Sequence, residues 1–265
     1  MGKWKLIAAS SKGNGHKECQ DSFAYDFFNE DIVITIVADG AGSYSHSKIG
    51  ARIVTKVGMQ IIKKYLNDNE LLSITEEKWK KDVLFLMEEL RSYFYKVSNR
   101  FKLNIKSLAS TVIINICSPN KLLALNIGDG RAGYLSNKNE WYSSISPYHG
   151  EEVGQTVFIT SDNLQNNVRA YLYEGEFKSI FSLSDGVEDV AFECLQEDVV
   201  SKKIYDKNLP FEGFFNPLIN YIKESKKSQE ELESEFEKFL MNGTPELELE
   251  KDDKTMVIGV YDEKI

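Results

Sequence analysis

The chain has little sulfur and little imidazole: three cysteines and three histidines in 265 residues. Cys19, Cys117 and Cys194 are odd in number, widely spaced and form no Cys-x-x-Cys, which speaks against a disulfide framework or a structural zinc site. They read as free thiols. His16, His46 and His149 lack any paired histidine spacing, so a metal here would have to be held mainly by oxygen. Basic charge is also short. The net charge is −9, with few arginines among the basic residues, and a phosphate-backbone binder would need a basic face; nucleic acid is not an expected partner. No apolar run approaches the roughly 18 residues of a membrane span, and the apolar part of the opening MGKWKLIAAS is too short for a signal peptide. The expectation is a cytoplasmic protein without a membrane partner. Internal repeats, low-complexity tracts and linkers are absent, so residues 1–265 read as a single domain.

What is present is a set of strand-like runs that end in acids. The stretch from Asp31 to Ser43, DIVITIVADGAGS, starts as a β-branched run suited to a strand buried on both faces and stops at Asp39-Gly40. Two other Asp-Gly pairs close apolar runs in the same way, LLALNIGDG at Asp129 and SIFSLSDG at Asp185. Short strands are expected at Lys5 to Ser10 and Phe23 to Phe28, giving a β-meander with the Asp39 strand. The apolar period then changes to three and four, predicting helices to about Leu66 and from about Ile74 to Phe101. STVIINIC, KLLALNIG and RAGYL read as consecutive antiparallel strands. Residues 136–178 are the least regular part, with TVFIT and RAYLY as short strands between loops. After the strand Ser179 to Ser184, Val187 to about Lys203 reads as mostly helical. Phe211 to Ile222 and Gln229 to Leu240 read as helices, and Thr255 to Tyr261 as a closing strand. The segments 143–178 and 204–250 are expected to be irregular and flap-like. Two groups of strands, each followed by amphipathic helices, predict an α+β fold: a four-layer α-β-β-α sandwich of two mainly antiparallel sheets flanked by helix pairs.

Asp21, Asp39, Asp129, Asp185 and Asp252 each lie beside a strand-like run. If those strand ends meet at one edge, the carboxylates cannot all ionise without cations. An all-oxygen set favours Mn²⁺ or Mg²⁺, and two such ions about 3.5–4 Å apart would suit phosphoester hydrolysis by an activated water. Gly40 and Gly42 would let the backbone approach closely enough for a carbonyl to act as ligand. Taken alone, each Asp-Gly is also compatible with a simple turn.

The ordered set QDSF (20–23), VADGAG (37–42), LAST (108–111), NIGDGRAGYL (126–135), LSDGV (183–187) and DDKT (252–255) resembles the metal-dependent protein phosphatase family of type 2C, in its bacterial single-domain form. The resemblance spans residues 15 to 260. It implies a phosphoserine/phosphothreonine protein phosphatase with two core Mn²⁺ or Mg²⁺ ions and a third, weaker one, acting on a phosphorylated protein substrate opposite a partner Ser/Thr kinase. By position it implies that Asp39 bridges the core metals, that Gly40 lends its carbonyl to one of them, and that Asp185 and Asp252 complete the other. Asp21 would hold metal-bound water, and Asp129, Asp185 and Asp189 would make the third site. The chain departs from the family in four places, of which Ala109 for a usual Gly is only a small change in packing. His16 stands where many members have a phosphate-clamping Arg, Gln20 where a Glu is common, and Ala41 where eukaryotic members carry a His assigned to the leaving group. His16 and Gln20 match a bacterial branch, which gives His16 a site role. The missing Arg keeps an alternative open, a catalytically weak or silent relative that binds phosphoproteins as a signalling module.

Overall fold

The computed structural model describes residues 2–148, 156–197 and 204–262. Twelve strands are described there: β1 Lys3–Ser11, β2 Ser22–Phe27, β3 Val33–Ala38, β4 Val112–Ser118, β5 Lys121–Ile127, β6 Arg131–Ser136, β7 Trp141–Ser143, β8 Arg169–Glu174, β9 Phe177–Leu183, β10 Phe192–Glu197, β11 Ile204–Pro210 and β12 Lys254–Asp262. The helices are α1 Ser47–Asp68, α2 Glu76–Phe101, α3 Leu164–Asn167, α4 Glu188–Ala191, α5 Glu212–Glu224, α6 Gln229–Asn242 and α7 Pro245–Leu249. One sheet has the order β1-β12-β9-β6-β7, the other β2-β3-β4-β5-β8, and β10 and β11 form a separate hairpin. Among the described residues no helix is long and apolar enough to cross a membrane.

The layers follow from strand alternation. On β3, Ile34 and Ile36 join the core beneath α1 and α2, whereas Val33 and Val37 join the core between the sheets. On β1, Leu6 and Ala8 face the other sheet and Ile7 and Ala9 face α5 and α6. Successive strand residues point to opposite faces, so apolar residues at every position require cover on both sides, and the helix pairs supply it. The result is the expected α-β-β-α sandwich. The long helices are fixed by local chemistry at their starts. The Thr75 side chain accepts from the Lys78 amide ahead of Glu76 and Glu77, and Ser228 and Glu231 form a reciprocal capping box at α6.

Several local expectations are corrected. The first three strands do not form a meander, because β1 pairs with β12 while β2 pairs with β3 in the opposite sheet. Likewise β5 and β6 are not partners: β4 pairs with β5, and the chain then crosses to the other sheet, where β6 pairs with β9. The crossing turn contains Gly128 at φ 114°, a conformation that favours glycine. The helix expected over 187–203 is confined to α4, after which Phe192 starts a strand. Phe192 packs its ring on Phe181 and Phe215 of the sheet and α5, so the core under the helices overrides the weak helical pattern; residues 198–203 lie outside the described set. The segment TVFIT contains no strand. Residues 204–250 are regular, holding β11 and α5 to α7.

Candidate active site

The acids predicted from the sequence sit at strand ends that meet. Asp21 precedes β2, Asp39 follows β3, Asp129 lies in the turn after β5, Asp185 follows β9 and Asp252 precedes β12. The Asp39 turn is anchored to the segment entering β4: the Asp39 amide donates to Thr111 Oγ1 at 2.9 Å, the Thr111 amide donates to the Asp39 carbonyl at 2.9 Å, and Gly40 bridges Ser110. A methyl group on Gly40 would lie 2.6 Å from the Gln20 carbonyl, so the turn closes against the Asp21 segment only because residue 40 has no side chain. One carboxylate oxygen each from Asp39, Asp129 and Asp185 lies within 4.8 Å of the others.

Asp21 is 8% exposed, and both of its carboxylate oxygens are buried without a well-formed hydrogen bond. Burial raises its pKa. The Asp39 carboxyl is pushed well above the usual carboxylate range, first by burial and then by the charges of Asp21, Asp185 and Asp252. Asp185 is pushed the same way by burial and by Asp129, Asp252 and Asp21, and Asp129 is raised by burial and, among charges, by Glu188 and Asp252. Four acids, Asp21, Asp39, Asp129 and Asp185, are therefore held above the usual carboxylate range. A buried carboxylate without a well-formed hydrogen bond, as at Asp21, fits a hard divalent cation, and a donor set made only of oxygen fits Mn²⁺ or Mg²⁺.

His16 sits beside this group. Its Nδ1 is 3.0 Å from an Asp253 oxygen and 3.7 Å from an Asp252 oxygen, within ion-pair range when the ring is protonated. Its Nε2 edge faces Gly42 in the Asp39 turn. Asp189 is not among the acids that converge within 4.8 Å. It is exposed, its charged neighbours are Glu188 and Glu250, and its side chain faces a groove along α5 and α6.

Two groups escaped the sequence reading. Asp253 is 1% exposed and accepts from the amides of Gly13 at 2.8 Å and Gln20 at 2.6 Å, tying the His16 loop to the start of β12. Its signal was the doubled Asp of DDKT, of which only the first carried a role. Arg131, in the run GDGRAG, is buried and donates to Glu188 at 2.7 Å and Asn208 at 2.7 Å, with Asp206 at 2.9 Å. A buried arginine has no sequence signature of its own, because its partners are distant in the chain.

The sequence profile described as Protein phosphatase 2C matches residues 10–240. The chain belongs to the protein phosphatase 2C family. Members of this family are hydrolases, and by that membership the chain is a serine/threonine protein phosphatase. It is 24% identical over 271 residues to serine/threonine-protein phosphatase 3 of Escherichia coli strain K12, an alignment covering 98% of this chain and 99% of that one. A crystal structure of a bacterial serine phosphatase point variant superposes with a TM-score of 0.61 at 13% identity, covering 99% of this chain and 100% of that one. The catalytic domain of the serine threonine protein phosphatase PstP, solved with two manganese ions, superposes at 0.56 with 12% identity, covering 99% and 100%. These structures share the sandwich with the phosphatase 2C chain described above.

Proposed function

We propose that this phosphatase 2C chain hydrolyses phosphoserine and phosphothreonine in proteins at a binuclear Mn²⁺ or Mg²⁺ centre, with room for a third ion. The observation that carries the reading is the Asp21 carboxylate, buried without a well-formed hydrogen bond beside Asp39, in a group where three further acids repel one another. Asp39, with Asp21, the Gly40 carbonyl, Asp185 and Asp252, would hold the core pair, and Asp129 with Asp185 the third ion; Asp189, facing the groove, is not needed in this set. When bound, the ions would supply a nucleophilic water at neutral pH and neutralise charge on the phosphoryl oxygens.

The side chains divide the remaining work. The Thr111 hydroxyl fixes the Asp39 amide and with it the direction of the turn. Gln20 directs its amide nitrogen to Ser47 Oγ at 2.9 Å, which holds the Asp21 segment against the start of α1. His16 is assigned to the substrate phosphate, since its ring stands at the rim of the acids and turns Nε2 towards the Asp39 turn. A His16→Ala variant should raise KM for a phosphopeptide more than it lowers kcat. The substrate is a phosphoprotein, supplied by a Ser/Thr kinase in the same, cytoplasmic, compartment.

The test is phosphate release from a phosphothreonine peptide with Mn²⁺, with EDTA, and with Mn²⁺ restored. Activity that appears with the metal and is absent from Asp39→Asn is the expected result. Undiminished turnover in EDTA would sink the metal reading, and calorimetric titration with Mn²⁺ counts the ions.

A further inference from the structure

On the outer face of the β1-β12-β9-β6-β7 sheet, α4, α5, α6 and α7 enclose a groove of about 790 Å³. Its floor is apolar and aromatic, with Phe192, Phe214, Leu232 and Phe236 buried and Leu218 and Phe239 half-buried. Phe211 and Tyr221 stand at its mouth, 46% and 42% exposed. The rim is acidic: Asp189, Glu193, Glu235 and Glu246 line the groove, and no Lys, Arg or His among the described residues does. Glu193 is paired with Lys207 and Glu235 with Lys227. Asp189 and Glu246 have no cationic partner among the described residues. An apolar trough whose unpaired rim charges, Asp189 and Glu246, are both negative has a definite complement, an occupant that is apolar on one side and positively charged along its edges.

Three occupants are weighed by charge. A phosphoryl group is repelled by the rim, so the groove is not a second phosphate subsite. A second copy of this chain, at net charge −9, offers acidic helices such as α6 with Glu230, Glu231, Glu233, Glu235 and Glu237. A basic amphipathic helix fits both features, with apolar anchors at i, i+3 or i+4 and i+7 entering the trough and Lys or Arg meeting the rim. We propose that this groove docks an amphipathic helix of a protein partner, with an apolar face flanked by Lys and Arg. The position gives the docking a use. α4 follows directly on the turn that carries Asp185, so a partner held here lies beside the acidic cluster and brings its phosphorylated segments to it. Binding in the groove does not depend on the metal reading.

The probe is a fluorescein-labelled Leu/Lys peptide with Leu at helical spacing, compared by anisotropy with a Leu/Glu peptide of the same pattern and with a scrambled Leu/Lys peptide. The whole chain is used, with Mn²⁺ and with EDTA, at ionic strength near ~0.15 M. The Leu/Lys peptide should bind equally in both, and the other two should not. Leu218→Ala with Phe239→Ala should weaken binding by about tenfold or more. Glu235→Gln with Glu246→Gln should weaken it severalfold, whereas Glu230→Gln with Glu237→Gln, the same charge change on exposed positions of α6, should leave it unchanged. Equal weakening by both glutamate pairs would mean general attraction to an acidic protein and would overturn the proposal, as would undiminished binding to the apolar variant. Failure of the Leu/Lys peptide to bind overturns it as well. If the apolar variant does not fold, the two surface glutamate pairs still decide. Loss of phosphatase activity in EDTA with peptide binding intact separates this inference from the function proposed above.

Discussion

The guanidinium of Arg131 donates to Glu188 at 2.7 Å, and in doing so joins the turn that carries Asp129 to the helix that follows Asp185. Arg131 is 1% exposed, lies over the Phe192 ring at 4.9 Å and also engages Asp206 and Asn208. Glu188 is the first charge that raises the Asp129 carboxyl, so Arg131 sets its guanidinium against an acid that bears on the cluster. Arg131→Met leaves two carboxylates facing a cavity without their cation and should cost about 3–5 kcal/mol. Lys cannot reproduce the planar fork, so Arg131→Lys should recover only part of the loss. Urea denaturation of Arg131→Met, Glu188→Gln and the double variant tests the pairing. Losses that simply add would mean that the two side chains act independently.

Asp39 is opposed by burial and by the charges of Asp21, Asp185 and Asp252, so its removal should have opposite effects with and without metal. In EDTA at pH 8, Asp39→Asn should unfold at a higher temperature than the unchanged chain, by roughly 2–4 °C for each kcal/mol of repulsion and desolvation relieved. With Mn²⁺ the order should reverse, because ligand binding to the native state stabilises by mass action and the variant loses that gain. Activity on phosphopeptides should be lost. Thermal scans in both conditions are the measurement, and a lower melting temperature for the variant in EDTA would contradict the assignment of the strain.

The same carboxylates set a pH dependence whose sign is fixed. Asp21, Asp39, Asp129 and Asp185 have folded pKa values above their unfolded values, so the native state binds more protons than the unfolded chain. Their contribution to stability is full below the unfolded carboxylate pKa of ~3.9 and is lost as pH rises through the folded values. Metal-free protein should therefore lose melting temperature from mildly acidic to alkaline pH. Bound cations favour the ionised forms, so the gap between Mn²⁺ and EDTA scans should widen over the same range. A gap independent of pH would show that these acids do not ionise on metal binding.

The sandwich was legible because apolar residues at consecutive strand positions leave no solvent face, as in Val33 to Val37, and because α1 and α2 carry clear stripes. Pairing was less legible. Nothing local distinguishes the turn at Asp129-Gly130, which passes between sheets, from the Ser118-Pro119-Asn120 turn, which closes a hairpin. The helical pattern over β10 misleads because the order of that strand comes from Phe192 meeting Phe181 and Phe215, contacts across the chain that periodicity does not encode. Among the acids, the repeated Asp-Gly at strand ends pointed to Asp39, Asp129 and Asp185, which the fold gathers. Asp253 was passed over because its work is to accept amides from Gly13 and Gln20, a role set by where two loops meet.

That meeting of loops makes a last prediction at Gly186. A methyl group there would lie 2.2 Å from the Asp253 carbonyl oxygen, a backbone atom that cannot move without carrying Asp252 and Asp253 with it. Gly58, inside α1, offers the contrast: its added methyl would meet Ile36 and Ile114 at 3.4 and 3.8 Å, ordinary contact distances in a well-packed layer. Gly58→Ala should stabilise the chain by up to about 1 kcal/mol, since it removes freedom from the unfolded state and adds helix propensity. Gly186→Ala should destabilise by about 1–3 kcal/mol through overpacking and should weaken Mn²⁺ binding, because the Asp185 turn and Asp252 are forced apart. Calorimetric Mn²⁺ titration of both variants separates general from local effects. If Gly186→Ala bound Mn²⁺ as tightly as Gly58→Ala, the contact between the two loops would have no part in placing the acids.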